Sequence, residues 1–465
     1  MAPMRTSRIL EIPYRRDLLP LHVAAPLDAP FLLETAGKAE QGSAVDILFA
    51  LPGVQHTLAS NMRVQRDGHA IPASFLDTLD AEFRQARLDP DTEIQGVPFA
   101  GGWFLYLGYE LATEIETGLK VLPANDDFPV ACAVRCGGAV VSDHRTRRSF
   151  LAAEPGALHK LEAWLQRIQD NCIAQCCEMA PALLSCREDN PQDYRDAVTR
   201  IVDYIHAGDV FQVNISRQWQ THTSARVQPW EIYQALRACN PAPFAGLARL
   251  AERYIVSSSP ERLIRVCGKR IETRPIAGTR PRSTQRAIDQ QLLRELHANP
   301  KERAEHLMLI DLERNDLGRL CEPGSISVDR FMGLESYTHV HHIVSDIHGR
   351  LRNGIGVADI IRAVFPGGTI TGCPKVRCME IITELEGKRR DAYTGSMGYL
   401  SLDGSMDLNI LIRTMLMHKN MLAFRAGGGI VADSEPQQEL EETRAKARGL
   451  LQSLNWKVDE NAMVG

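Results

Sequence analysis

At 465 residues and 51.7 kDa, the chain is long enough for one large domain or two to three ordinary ones, each with its own core. Its 44% hydrophobic and 24% charged residues read as globular, and a formal net charge of −5 with a pI near 6.3 argues against a general nucleic-acid binder, so any anionic ligand must be met locally. No apolar run reaches the roughly 18 to 20 residues of a membrane helix, and the N-terminus lacks a compact apolar core before a cleavage site, which predicts a cytoplasmic protein with no membrane partner.

In chain order, the first ~180 residues mix strand-like runs ("VDILFAL", "ACAVRCGGAVVSD") with turns and end in a helix-like stretch from about Gly156 to Met179. The 11 cysteines have no even spacing, which predicts free thiols in a reducing compartment. Cys172, Cys176, Cys177 and Cys186 cluster, but without a Cys-x-x-Cys pair or a histidine among them they fit metal-ligand spacing poorly. "APALLSCREDNPQ" reads as a connector, and Asn190 before Pro191 predicts an N-cap and first helical residue, with the helix running to "HAGD". The pattern then alternates: strand-like "VFQVNISRQWQ", helix-like "PWEIYQALRAC", strand-like "GLARL" and "RYIVSSS", then "RLIRVCGKRIETRPI" as a hairpin. These elements predict an α+β chain divided into an N-terminal region, 1–185, and one continuous domain, 186–460.

"IETRPIAGTRPR" offers Arg274, Thr279, Arg280 and Arg282 as donors for carboxylate or phosphate, with Gly278 letting backbone approach a ligand. A lysine is expected among such groups, yet Ala277 stands there. Asn299-Pro300 starts a helix, "KERAEHLMLIDLERNDLGRL", on which Glu302 and Glu305 share one face, and "SEPQQELEETRAKARGLLQSL" repeats the spacing with Glu439 and Glu442. Two such pairs suit Mg²⁺, a hard cation that takes one or two carboxylates and keeps waters for a substrate to displace; solvated helix faces are the plainer alternative.

"RAGGGIVADS" reads as a Gly-rich turn before the second of these helices, where the amides of Gly427, Gly428 and Gly429 can hold an anionic oxygen. It lacks the G-x-G-x-x-G spacing of a dinucleotide loop, so a carboxylate is the better guest. "FPGGTITGCPKVRCMEII" opens another helix and puts Thr371, Gly372 and Lys375 at its N-terminus, where negative charge is attracted. In "HVHHIVS", His339 and His341 share a strand face opposite His342, so the expectation is one histidine in a pocket and two near the surface rather than a three-His metal site.

These motifs together resemble the chorismate-utilising enzymes. The match runs from about Asn190 to Lys446 through "FQVNIS", "SSSPERLI", "RPIAGTRPR", "AEHLMLIDLERNDLGR", "VHHIVS", "FPGGTITGCPKVRCMEII", "YTGSMGYL", "LIRTM" and "AGGGIVADS", in the family's order, and more loosely through "FLLET" and "GGWFLYLGYEL" before it. The resemblance implies two large, mostly antiparallel β-sheets packed as a sandwich with helices outside, and 186–460 as the chorismate-binding catalytic domain. It implies Glu305 and Glu442 as Mg²⁺ ligands with Glu302 and Glu439 beside them, and Lys446 assisting where the metal clamps the ring carboxylate. Arg413 and Tyr393, with amides around Gly428 and Gly429, match the positions that hold the enolpyruvyl carboxylate. Glu261 matches the general acid for the C4 hydroxyl, and His342 the active-site histidine. Ala277, Gly278 and Thr279 match catalytic positions of the family, and the N-terminal region can carry a tryptophan site at Glu34, although Thr35 stands where the family usually has Ser.

Gln212 stands where water-using members carry a lysine, which implies ammonia as nucleophile. "NPAPF", "ETRPI", "CEPGSISV", "LESY", "FPGG" and "DLNI" lean towards the aminodeoxychorismate synthase branch, whereas Ala277 is shared with anthranilate synthases; the typical lysine at that position forms a covalent adduct with chorismate. With no Gly-x-Cys-x-Gly glutaminase motif in the chain, the resemblance implies ammonia from a separate glutamine amidotransferase subunit.

Overall fold

The computed structural model describes residues 8–36, 44–88, 96–124, 126–171, 183–283, 285–336 and 340–455. Cys172, Cys176, Cys177 and His339 lie outside them, as does the side chain of Thr279.

The strands form two antiparallel arms. In hydrogen-bonded order the first arm is Leu183–Glu188, Gln212–Thr223, Met421–Ile430, Thr414–His418, Arg253–Ser259, Phe244–Leu250, Phe31–Glu34, Val45–Leu58, Ala131–Asp143, Arg148–Ala153 and Arg8–Ile12. Val45–Leu58 and Ala131–Asp143 also belong to the second arm. It continues from the front half of Ala131–Asp143 through Gly102–Leu107, Ser396–Ser401, Met406–Asn409, Arg262–Cys267, Arg270–Thr273 and Val340–Arg350, which Ile276–Pro281 and Ser327–Ser336 flank. A register shift between Pro52 and Gln55, opposite Cys136, marks where the long strands pass from one arm to the other.

Three apolar layers follow from the period-2 alternation of these strands. Phe31, Phe49, Phe104, Tyr106, Tyr399 and Leu411 fill the space between the arms, with Phe31 and Phe104 stacked at 3.9 Å between ring centroids. Helices Leu158–Asn171, Pro229–Cys239 and Pro436–Ser453 cover the outside of the first arm through Trp164, Leu236 and Leu450, packed with Trp219 and Phe424. Helices Phe75–Ala86, Pro300–Gly318 and Val357–Val364 cover the second through Leu79, Ile310 and Ile361. Each fully buried Leu or Phe here is worth about 1.5–3 kcal/mol. The chain is therefore the expected α+β sandwich with helices outside, its two sheets joined through shared strands.

Local chemistry sets the helix starts. Asn190 accepts from the amide of Gln192 ahead of Pro191–His206, and Asn299 accepts from Lys301 and Glu302 ahead of Pro300–Gly318, with Pro at the first position of both. Two Gly-rich segments differ from expectation. Gly427, Gly428 and Gly429 are not a turn but the end of the Met421–Ile430 strand, and Thr371 and Gly372 precede the helix Lys375–Glu386 rather than opening it. No helix among the described residues is long and apolar enough to cross a membrane.

Candidate active site

Two helices bring four carboxylates to one edge of the sandwich. Asn299 Oδ1 fixes the first turn of Pro300–Gly318 by accepting from the Lys301 amide at 2.9 Å and the Glu302 amide at 3.3 Å, which aims Glu302 and Glu305 at the strand ends. Burial raises the Glu305 pKa, and the negative charges of Glu302 and Glu442 raise it further against the hydrogen bond from Gln212 Nε2 at 3.3 Å. Glu439 is raised by burial and by Glu442, offset by the Ser434 hydroxyl, which donates to its Oε1 at 2.7 Å. Basic groups hold two of the four: Arg280 pairs with Glu302 at 3.0 Å and Lys446 with Glu442 at 2.7 Å. Among the described residues, no three acidic, histidine or cysteine groups are gathered closely enough to ligate an ion as they stand. Hard oxygen donors converging from two helices, and raising one another's pKa, nonetheless fit a hard divalent cation.

The glycines in the adjoining strand are there because other side chains press on them. A Cβ on Gly429 would lie 2.1 Å from Gln212 Nε2, and one on Gly428 would lie 3.1 Å from Glu439 Oε2. On this edge Thr414–His418 reaches only as far as Met421–Phe424, so Gly427–Ile430 run past it and, among the described residues, every second amide there has no strand partner. Such amides suit an anionic oxygen. Lys446 donates to the Gly427 carbonyl at 3.0 Å.

Beside this edge lies a second group of polar residues. Glu261 is buried, which pushes its pKa up to about 7, partly offset by Thr369 and by the cation of Arg413. Arg413 sits at φ 51°, its pKa lowered by burial, and its guanidinium makes no hydrogen bond or ion pair among the described residues. A half-buried cation without an ion-pair partner invites an anion. His342 is also buried and held near pKa 4 by that burial and by Arg413. It is therefore neutral, donating from Nδ1 to the Gly278 carbonyl at 3.2 Å. Gly278, at φ 65°, forms the bulge opposite His342, and a Cβ there would meet Glu302 Oε2 at 2.8 Å. Ala277 precedes it, buried yet outside every apolar cluster. Burial pushes the Tyr393 phenol up to about 12, and the Arg390 guanidinium lies 5.6 Å from its ring.

Several expected donors have other work. Arg274 is held by Glu335 at 2.6 Å and by Asp346, Arg282 by Asp289 at 2.9 Å, and Lys375 by Asp316 at 2.6 Å. They stabilise the second arm and its helices. Thr371 is buried and donates to the Gly367 carbonyl at 2.9 Å, while Gly372 lets the Gln212 carbonyl approach to 2.0 Å from where its Cβ would be. His341, expected near the surface, is buried between Asp289 at 3.0 Å and Ser336 at 2.8 Å.

The structure adds Asn214 and Tyr194, whose Oδ1 and Oη are buried without a hydrogen-bond partner among the described residues, like Gln212 Oε1. Asn214 was readable from period-2 spacing after Gln212; a tyrosine on the apolar face of a helix gives no such signal. A separate cleft, open to solvent and lined by Glu34, Thr35, Phe244, Tyr399 and Asp407 among others, lies between the arms and includes none of the four acidic residues. Tyr233 at 2.5 Å and Arg237 at 2.9 Å hold the Glu34 carboxylate there.

Comparison with known proteins agrees on one family. The family model for chorismate binding enzymes matches residues 29–452. An aminodeoxychorismate synthase component 1 from Klebsiella aerogenes is 36% identical over 460 residues, 97% of this chain and 100% of its own. An anthranilate synthase component I-like protein from Synechocystis sp. is 43% identical over 359 residues, 77% of this chain and 73% of its own. The crystal structure of anthranilate synthase component I from Streptococcus pneumoniae TIGR4 superposes with a TM-score of 0.77 at 29% identity, covering 89% of this chain and 93% of that one.

Proposed function

The chain belongs to the chorismate-binding enzymes, and from that premise we propose that it is an aminodeoxychorismate synthase component I, converting chorismate and ammonia to 4-amino-4-deoxychorismate with Mg²⁺, for p-aminobenzoate and folate synthesis in the cytoplasm. The observation that carries amination is Gln212. It is buried at 3% exposure between Gly429 and Glu305, a neutral amide that can position ammonia but cannot deprotonate water. Ammonia is a nucleophile without a general base.

Glu305 and Glu442 would hold Mg²⁺, with Glu302 and Glu439 beside them and Lys446 balancing their charge. When bound, the ion supplies positive charge that neutralises and orients the ring carboxylate. Arg413 and Tyr393, with the unpaired amide edge around Gly428 and Gly429, receive the enolpyruvyl carboxylate, so a dianion meets two anion sites. Glu261, protonated near neutrality by its burial, gives its proton to the departing C4 hydroxyl, which leaves as water as the C–N bond forms. Neutral His342 orients the ring, and Ala277, Gly278, Thr279, Thr371 and Gly372 shape the wall around it.

Ala277 removes the lysine that forms an adduct in this branch, and Lys375 is bound to Asp316, so ammonia attacks directly. It comes from a separate glutamine amidotransferase subunit. Ala277 also favours a second reading, anthranilate synthase component I, in which ammonia adds at C2.

Product identity separates them. Purified protein is given chorismate, Mg²⁺ and ammonium salt, with and without aminodeoxychorismate lyase, and products are read by chromatography and fluorescence. The expected result is p-aminobenzoate only when the lyase is present; anthranilate without the lyase would replace this reading by the second.

A further inference from the structure

Tyr194 projects from the helix Pro191–His206, which packs against Pro436–Ser453, the helix that carries Glu439 and Glu442. Its ring lies in an apolar cluster with Val198, Val213, Ile215 and Leu440. Its hydroxyl is buried and has no hydrogen-bond partner among the described residues. Leaving a buried donor unmet is costly, and phenylalanine would fill the same space without that cost. The position of the hydroxyl is informative. The point where a Cβ would stand on Gly428 lies 3.1 Å from Glu439 Oε2, 3.8 Å from Glu442 Oε1 and 3.9 Å from Tyr194 Oη. Three polar atoms from two helices thus converge on one spot, which glycine alone leaves open.

Their hydrogen-bonding capacities are complementary. Glu439 Oε1 accepts from Ser434 and Glu442 Oε1 faces Lys446, whereas Glu439 Oε2 has no donor among the described residues. Tyr194 Oη carries a proton at that spot that meets no acceptor among the described residues. We infer that Tyr194 is a positioning residue of the acidic site: its hydroxyl donates, directly or through one water, to Glu439 Oε2 and holds that carboxylate beside Glu442, where the pair would serve a divalent cation. The inference rests on the proposed reading of those carboxylates as a Mg²⁺ site. Hydrogen bonds that orient the carboxylates around a metal set its affinity, and their loss typically costs about 10–100-fold.

The test is calorimetric titration of Mg²⁺ into wild type, Tyr194→Phe and Ser434→Ala, each with chorismate present, together with thermal melting of each apoprotein. Ser434→Ala removes the donor already seen on Glu439 and sets the scale. The expected result is a Mg²⁺ affinity roughly tenfold weaker in Tyr194→Phe, an apoprotein melting temperature equal to or above that of wild type, and an unchanged KM for chorismate at saturating Mg²⁺. A lowered melting temperature with unchanged Mg²⁺ affinity would mean that the hydroxyl serves only the fold and overturns the inference. Unchanged affinity at unchanged stability overturns it equally. A wild type that binds chorismate without any Mg²⁺ dependence would remove the metal reading as well, so the two failures are distinguishable.

Discussion

Two buried groups of the site are moved in opposite directions by the same cause, and pH separates them. Burial disfavours charge, so it raises the Glu261 carboxyl from 4.5 to about 7 and lowers the His342 imidazole from 6.5 to about 4. Glu261 is thus a proton donor below about pH 7 and loses that proton as pH rises, while His342 stays neutral from pH 5 upward. At a fixed concentration of free ammonia, turnover should therefore fall above about pH 7. Glu261→Gln should lower turnover about 10²–10⁴-fold, remove that limb, and keep chorismate affinity by calorimetry. A pH limb that persists in the variant would assign it to another group. The same linkage makes the contribution of Glu261 to stability full below its unfolded value of 4.5 and lost as pH climbs through about 7. At this scale the sequence was readable only through motifs: Glu261, His342 and Arg413 stand at recognisable positions, but nothing local distinguishes Arg413, unpaired, from Arg274, which Glu335 and Asp346 occupy. Pairing is decided by residues 61 to 72 positions away.

Elements whose causes are local were legible, and those shaped by distant neighbours were not. Asn190-Pro191 and Asn299-Pro300 each start a helix, because a cap needs only the next few amides, whereas Asn240 before Pro241 is the C-cap of Pro229–Cys239. Glycine commonly marks a turn, and Gly427, Gly428 and Gly429 in sequence suggest one, whereas the cause here is close approach by Ile215, Glu439 and Gln212. A cap that also aims ligands has a double effect when removed. Asn299→Ala should cost about 1 kcal/mol and lower the melting temperature by about 2 °C or less. It should also raise the Mg²⁺ concentration needed for half-maximal activity, since the Glu302 amide loses its acceptor. Chorismate KM measured at saturating Mg²⁺ should stay as it is. Lost stability without any change in Mg²⁺ demand would show that packing against the second arm, not the cap, aims Glu302 and Glu305.

For the whole molecule, motif order predicted a sandwich, but the shared strands were not legible. Val45–Leu58 and Ala131–Asp143 read as ordinary apolar runs, and only the register shift at Pro52 divides them between two arms. The consequence reaches the site. Glu302 and Glu305 stand on a helix packed against the second arm, whereas Gln212, Gly429, Glu439 and Glu442 belong to the first arm and its covering helix. On the proposed reading a cation and a dianion bound there would tie the arms together, and a ligand that binds only the folded state at a hundred times its Kd stabilises by about 2.7 kcal/mol. Chorismate with Mg²⁺ should therefore raise the melting temperature more than either alone, while nucleotides should leave it unchanged. Glu442→Gln is the control, because that carboxylate is 52% exposed and its loss should leave the apoprotein's melting temperature near wild type. With the metal site weakened, the joint shift should vanish in this variant and turnover with it. A nucleotide-dependent shift, or a full chorismate and Mg²⁺ shift in Glu442→Gln, would mean that the four carboxylates are solvated helix faces after all.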